Sequence, residues 1–355
     1  MVATLAVVVA GSGDSSAGTT AAVSFFAVDF QKRSDRRIAM SLTQTMTFRS
    51  KIVAVLLAVT VLTVSCNKQE KPQSQLAQNT FASPDAAGQA LATAAESGNV
   101  EAVRAVLGSG SKDVVSSGDA VKDKADLAGF VSDYHAMHRW RKLQNGRLLL
   151  ITGTDNKAFP LPLKKNNVGR WLFDVQAGKE EIQARQIGRD ELAAMDICWE
   201  IADAQKQYFS QRHDGVSQYA QKFISDGGKQ NGLYWPQVSG EPKSPLGPLI
   251  AFATTEGIKV QANQHQPFYG YYFAMLDKQG AEAKGGAMNY VVSGKMTGGF
   301  AVLAYPAEYG DSGIMTFAIN QNGTVLQKDL GKRTEEVASA MTEFNPDQTW
   351  IPVEQ

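Results

Sequence analysis

The chain has 355 residues, with 35 lysines and arginines against 35 aspartates and glutamates, and only two cysteines. That charge balance excludes the basic footprint a nucleic-acid binder needs. Cys66 and Cys198 are too few for a disulfide framework or a cysteine-rich zinc site.

The first element with a clear signature is an export signal. Arg49 and Lys51 form a positive start, Ile52–Val64 is an uncharged apolar run, and small Ser65 precedes Cys66. This is the order of a secretory signal peptide, and the run is too short for an ordinary membrane-spanning helix. Residues 46–65 are therefore expected to be the signal peptide of a bacterial exported protein. The residues ahead are low in complexity, with Gly11-Ser12-Gly13 followed by a basic patch at Lys32, Arg33, Arg36 and Arg37. Targeting signals lie within the first ~15–30 residues, so residues 1–45 read as an extension added in error, with the true start at Met46 or Met40. A long n-region is the alternative.

Cys66 has two readings. Thr63-Val64-Ser65-Cys66 is a lipobox that makes Cys66 the acylated first residue of a lipoprotein, or signal peptidase I cuts after Ser65. A lipobox usually opens with Leu; here that place is Thr63, and Leu62 lies one residue early. The polar stretch from Asn67 to Thr80 favours the lipoprotein, because a lipid-anchored domain needs a tether and this one is too poor in apolar residues to pack. Six basic and three acidic residues precede Cys66, so the mature chain keeps 29 basic and 32 acidic residues and a net charge of −3. The length that remains exceeds what one core usually supports, so two domains are expected, 81–177 and 186–355.

In the first domain, Ser83-Pro84-Asp85 is a helix start: an N-cap, proline in the first turn, and an early acid. Ala87, Leu91 and Ala94 follow at helical spacing, Gly98-Asn99 breaks the helix, and Val100, Val103 and Leu107 restart it. A third helix is expected from about Asp123 to His138. Strand-like runs come next at 147–152, 159–165 and 170–175, with Asn166-Asn167-Val168-Gly169 as a turn. Helices followed by an antiparallel sheet make an α+β fold. The opening SPDAAGQALATAAESGNVEAV and the late GRWLFD resemble the cone-shaped domains of the ketosteroid-isomerase-like (SnoaL-like) superfamily. Some members of that superfamily are enzymes with an Asp/His pair inside the cone; many others are binding or scaffold modules. His135 and His138 share a helix face, but Asp133 lies on another side and no HExxH exists, so boundary histidines are expected rather than a metal site.

In the second domain Arg189-Asp190-Glu191-Leu192 opens a long helix, whose apolar positions run through Met195, Cys198, Ala202 and Tyr208 to an end near Arg212. Cys198 falls in an apolar stretch and is expected to pack. The segment 178–186 is expected to be a linker. Strands are expected at 268–276, 290–293, 299–305 and 314–319, and the Asn322-Gly323 turn leads into another at 324–328. A helix over 334–344 closes the chain. The order of a long helix and an antiparallel meander, carried by IADAQKQYFSQRHDGVSQYAQKF, GYYFAML and IMTFAINQNGTVLQKDL, resembles the soluble part of type II secretion pseudopilins. Nothing before Leu192 supplies a prepilin cleavage site. Taken whole, residues 81–353 resemble one uncharacterised bacterial family of exported proteins, through blocks such as GLYWPQVSGEPKSPLGPLI and GGFAVLAYPAEYGDSGIMTFAINQNG.

The candidate binding residues are Tyr234, Trp235, Tyr269 and Tyr271, aromatics in a loop-rich stretch suited to sugars, peptides or a partner surface. The alternative is that they fill the core. Ser116, Ser117 and Ser244 lack a GxSxG elbow, and Gly285-Gly286 and Gly298-Gly299 lack a phosphate-loop frame. No catalytic residue, metal or cofactor is assigned. The sequence is expected to encode a non-catalytic envelope module that binds an envelope protein or cell-wall component. A hydrolase or isomerase using an Asp/His site in the cone is the alternative.

Overall fold

Ser83 starts the first helix: its Oγ accepts from the Ala86 N–H at 3.1 Å, with Pro84 in the first turn. The computed structural model describes residues 79–117, 119–255 and 266–354, so the expected signal peptide, Cys66 and most of the tether lie outside the described residues. They form two units, one ending at Arg185 and the other starting at Gln186.

The first unit opens with α1 (Pro84–Glu96), α2 (Val100–Leu107), α3 (Lys112–Val115) and α4 (Ala120–Ala136). Asn99 caps α2 and Asp119 caps α4, each through a side-chain oxygen that accepts first-turn N–H groups. Helix α4 stops two residues earlier than expected. Met137 is extended, and β1 (His138–Lys142) begins a sheet with β2 (Leu148–Thr152), β3 (Lys157–Ala158), β4 (Leu163–Lys165) and β5 (Trp171–Phe173). The order is β1-β2-β4-β5, all antiparallel, with β3 also on β2. Of the run expected at 159–165 only Leu163–Lys165 is a strand, because Pro160 and Pro162 have no N–H to give a ladder. Leu91, Ala95, Leu107, Leu161, Leu163 and Phe173 fill the space between helices and sheet. Phe81 and Phe159 meet Phe173 edge-on at 6.3 and 6.1 Å.

Helix α5 (Val175–Gln211) begins well before the expected start near Arg189, so residues 178–186 are helical rather than a loop. Gly178 lies where a Cβ would run into Leu161, which explains a residue that otherwise weakens a helix. The helix ends as expected, where Arg212 turns to φ +53.

In the second unit α5 sends Ala194, Ile197, Cys198, Ile201 and Tyr208 into the core. Helix α6 (Gly247–Thr255) was not among the expected elements. Gly247 and Pro248 look like breakers but occupy the first turn, where proline loses no bond. Two short hairpins pair β7 (Lys278–Gln279) with β8 (Met288–Asn289) and β9 (Val291–Val292) with β10 (Lys295–Met296). The main sheet is built from β6 (Tyr271–Leu276), β11 (Ala301–Pro306), β12 (Met315–Asn320), β13 (Leu326–Asp329) and β14 (Ile351–Pro352), in the order β14-β13-β12-β11-β6. Every strand pair in it is antiparallel. The Asn-Gly turn forms as expected: the Gly323 N–H donates to the Asn320 carbonyl at 2.9 Å, with φ +81 at Gly323.

All six residues of β11 are buried, so both faces of the sheet are covered. The register puts Met275, Val302 and Ile319 on one face and Leu276, Leu303 and Ala318 on the other. Helix α5 lies against the first face, where Gln205 Nε2 reaches Met275 Sδ at 3.5 Å. Over the second face run α7 (Thr334–Ser339) and the chain that follows it. Helix α7 is shorter than expected, but Phe344 is still fixed: its N–H donates to the Lys278 carbonyl and its carbonyl accepts from Gly280. Each unit thus combines helices with an antiparallel sheet, and the fold is α+β.

Candidate functional site

The histidines of the first unit lie outside its interior. His135 is exposed and sits 2.7 Å from Glu96 across the surface. His138 stacks on Tyr134 at 4.0 Å, and its Nδ1 is 3.0 Å from the Tyr134 carbonyl, one turn back. Asp133 points elsewhere, to Lys157 at 2.9 Å. Leu91, Leu150, Leu163 and Phe173 are buried in the interior instead.

The four candidate aromatics of the second unit divide into two pairs. Trp235 is buried, and its Nε1 donates to the Pro242 carbonyl at 3.0 Å. Tyr271 is fully buried, with Oη donating to the Met315 carbonyl at 2.9 Å. Both complete the core and satisfy their polar atoms inside it. Tyr234 and Tyr269 are half-buried, and Tyr269 adopts φ +48, an uncommon conformation for a bulky residue. The four do not converge on one surface pocket.

The fold builds a cleft that sequence reasoning missed. It holds about 420 Å³ on the second face of the main sheet. Leu276, Leu303 and Ala318 form its floor, one residue from each of three neighbouring strands. Its rim is Met341, Phe344, Pro346 and Trp350, with Thr342, Glu343 and Asn345 as polar edges. The rim is held from below. Asn345 Oδ1 accepts from the Glu282 N–H at 2.8 Å. Lys278 stands 3.7 Å from Glu343. Lys328 Nζ lies 5.9 Å from the centre of the Trp350 ring and 3.4 Å from Asp347. Hydrogen bonds from the Thr349 side chain and backbone hold the Asp347 carboxyl below its usual range, so it stays charged opposite Lys328. An apolar floor, an aromatic rim and one carboxylate can hold an apolar group with a polar edge. The lining residues include no histidine, cysteine or serine; Thr342 and Glu343 supply their one hydroxyl and one carboxylate. Phe344 was legible only as the end of the helix expected over 334–344, and Trp350 carried no signal of its own.

Two further buried groups have structural roles. Glu191 Oε1 accepts from the Ile314 and Met315 N–H groups at 2.9 and 3.0 Å, fixing the start of β12 to α5. Burial raises its carboxyl above the usual range, against those two bonds. Cys198 is fully buried, and burial pushes its thiol far up, away from thiolate chemistry. Among the described residues no group of three His, Cys, Asp or Glu side chains is placed to hold a metal ion. No helix among them is long and apolar enough to cross a membrane.

Fold and cleft together define a two-unit α+β protein with an apolar-floored cleft on its second sheet. The chain belongs to a family of proteins of unknown function, DUF2950, which matches residues 78–353. No curated protein and no solved structure matches it.

Proposed function

We propose that this protein is an exported cell-envelope lipoprotein, anchored through Cys66, that acts as a non-catalytic binding module. The cleft carries the binding part of this reading: an apolar floor on a rigid sheet under an aromatic rim. Its ligand is an envelope protein or cell-wall component that presents an apolar group. The export signal at 46–65 and the polar stretch after Cys66 support the location. The first unit is read as a SnoaL-like scaffold, supported by its order of helices then antiparallel sheet and by its filled interior. The second is read as pilin-like, supported by one long helix ahead of an antiparallel meander. The hydrolase or isomerase alternative would need His135 or His138 in a pocket beside a carboxylate, and His135 meets Glu96 on the open surface instead.

The test is a pull-down from the native envelope with the anchor intact. Wild type should retain a partner that Met341→Glu loses, since Met341 is on the rim and only half-buried. Equal capture by both would remove the cleft from the reading. Separately, Cys66→Ser should abolish acyl labelling and release the protein into the soluble exported fraction; continued membrane association of that variant would sink the anchor.

A further inference from the structure

We infer that one end of the first unit's sheet docks on an anionic phospholipid surface. Two hairpin turns share that end, because Lys142 pairs with Leu148, Leu148 with Leu163, and Lys165 with Trp171. Residues 141–147 and 164–174, which form these turns and their flanks, contain six cations and one carboxylate. That carboxylate, Asp174, is buried and already paired with Arg147 at 2.7 Å and Lys164 at 3.1 Å. Arg141, Lys142, Lys165 and Arg170 are left exposed, with no carboxylate in ion-pair range among the described residues. Lys165 Nζ sits 5.0 Å over the Trp171 ring. At the tip of the second turn Val168 is 78% exposed, an apolar side chain flanked by cations.

Two more observations select a membrane as the occupant. The helices of the same unit have the opposite sign: residues 84–136 carry eight acids and four bases. An anionic surface would therefore attract the turn end and repel the helices, which sets an orientation as well as an affinity. The chain also joins the sheet at this end. Phe81 pairs with Trp171 through both backbone bonds, 2.8 and 2.9 Å, and Arg170 donates to the Thr80 Oγ1 and carbonyl. Residues 67–80 are all that separates Cys66 from Phe81, a span of at most about 50 Å. A lipid on Cys66 would keep this end, rather than a distant one, near the headgroups. This inference builds on the envelope reading. Its chemistry is that of a polybasic patch with an apolar tip beside a lipid anchor.

The test uses the mature chain carrying Cys66→Ser, so that no acyl group contributes and failure of the anchor cannot be mistaken for failure of the patch. Vesicles of phosphatidylcholine alone are compared with vesicles containing phosphatidylglycerol, by co-sedimentation at low and high salt. Binding is expected only to the anionic vesicles, weakening as salt screens it. The triple variant Arg141→Glu, Lys142→Glu, Lys165→Glu should bind at least ~100-fold more weakly, at roughly fivefold per cation. Val168→Asp should weaken binding while leaving the salt dependence in place. Circular dichroism and the thermal midpoint confirm that each variant is folded. Absence of binding to anionic vesicles, equal binding to neutral ones, or a folded triple variant that binds like wild type would each overturn the inference.

Discussion

Gln205 ties α5 to a buried segment of the second unit through its side-chain amide. It is fully buried, and its amide behaves as a missing strand: Oε1 accepts from the Ala220 N–H and Nε2 donates to the Ala220 carbonyl, both at 2.8 Å. Gln205→Leu keeps most of the volume but leaves both backbone groups of Ala220, itself 1% exposed, without that partner. Each orphaned group costs about 1–3 kcal/mol, so with the small gain from a more apolar side chain the loss should be about 2–4 kcal/mol. Gln205→Glu separates the hydrogen bonds from the shape. A protonated glutamic acid can still donate to the Ala220 carbonyl, whereas the carboxylate cannot and is buried as well. Burial without a cation raises the folded-state pKa of such an acid. The sign follows: its stability is full below the unfolded value of about 4.3 and is lost as pH rises through the raised folded value. Urea unfolding should find Gln205→Glu close to wild type at acid pH and at least as impaired as Gln205→Leu above neutrality. A Leu variant within 1 kcal/mol of wild type, or a Glu deficit that does not change with pH, would refute the reasoning.

Three other outcomes are expected. Glu191 also has a raised carboxyl pKa, so its contribution is present below the unfolded value and lost as pH rises through the folded one; Glu191→Gln, which can keep accepting from Ile314 and Met315, should flatten the stability–pH curve, and an unchanged curve would show that burial of this charge is not what shapes it. Gly313→Ala puts a methyl against Tyr271 Oη and should cost about 1–3 kcal/mol; adding Tyr271→Phe should recover part of that loss, and strictly additive losses in a double-mutant cycle would argue against the clash. A fragment of residues 79–185 should unfold cooperatively at a higher midpoint than one of 80–178, because the longer piece keeps Ile182 in the core and the bond from Arg185 to the Ala158 carbonyl at 2.8 Å. Equal midpoints would mean that those contacts add nothing.

Elements with a local chemical cause were legible from sequence. The Ser83-Pro84-Asp85 start, the Asn99 break, the end of α5 at Arg212 and the turn at Gly323 all depend on residues within a few positions of one another. The strand β11 was legible because a run buried on both faces has to be apolar throughout. Errors came where one local signal had two physical meanings. His138-Arg139-Trp140-Arg141-Lys142 is charged because it is an edge strand, and the charge hid the strand.

Burial and convergence were decided by tertiary structure alone. Trp235 and Tyr271 have the composition of a binding surface, and only the packing of distant segments shows that they complete the core. The cleft draws its floor from residues 276, 303 and 318 and its rim from 341–350, so no window of sequence contains it. The charges of the first unit were visible as single residues, but the pairing of β1, β2, β4 and β5 is what gathers Lys142, Lys165 and Arg170 at one end of a sheet. Capping, turn chemistry and apolar periodicity act over a few residues and can be read along the chain. Which side chains share a surface depends on strand order and register, and those are set by the lowest free energy of the whole packed unit.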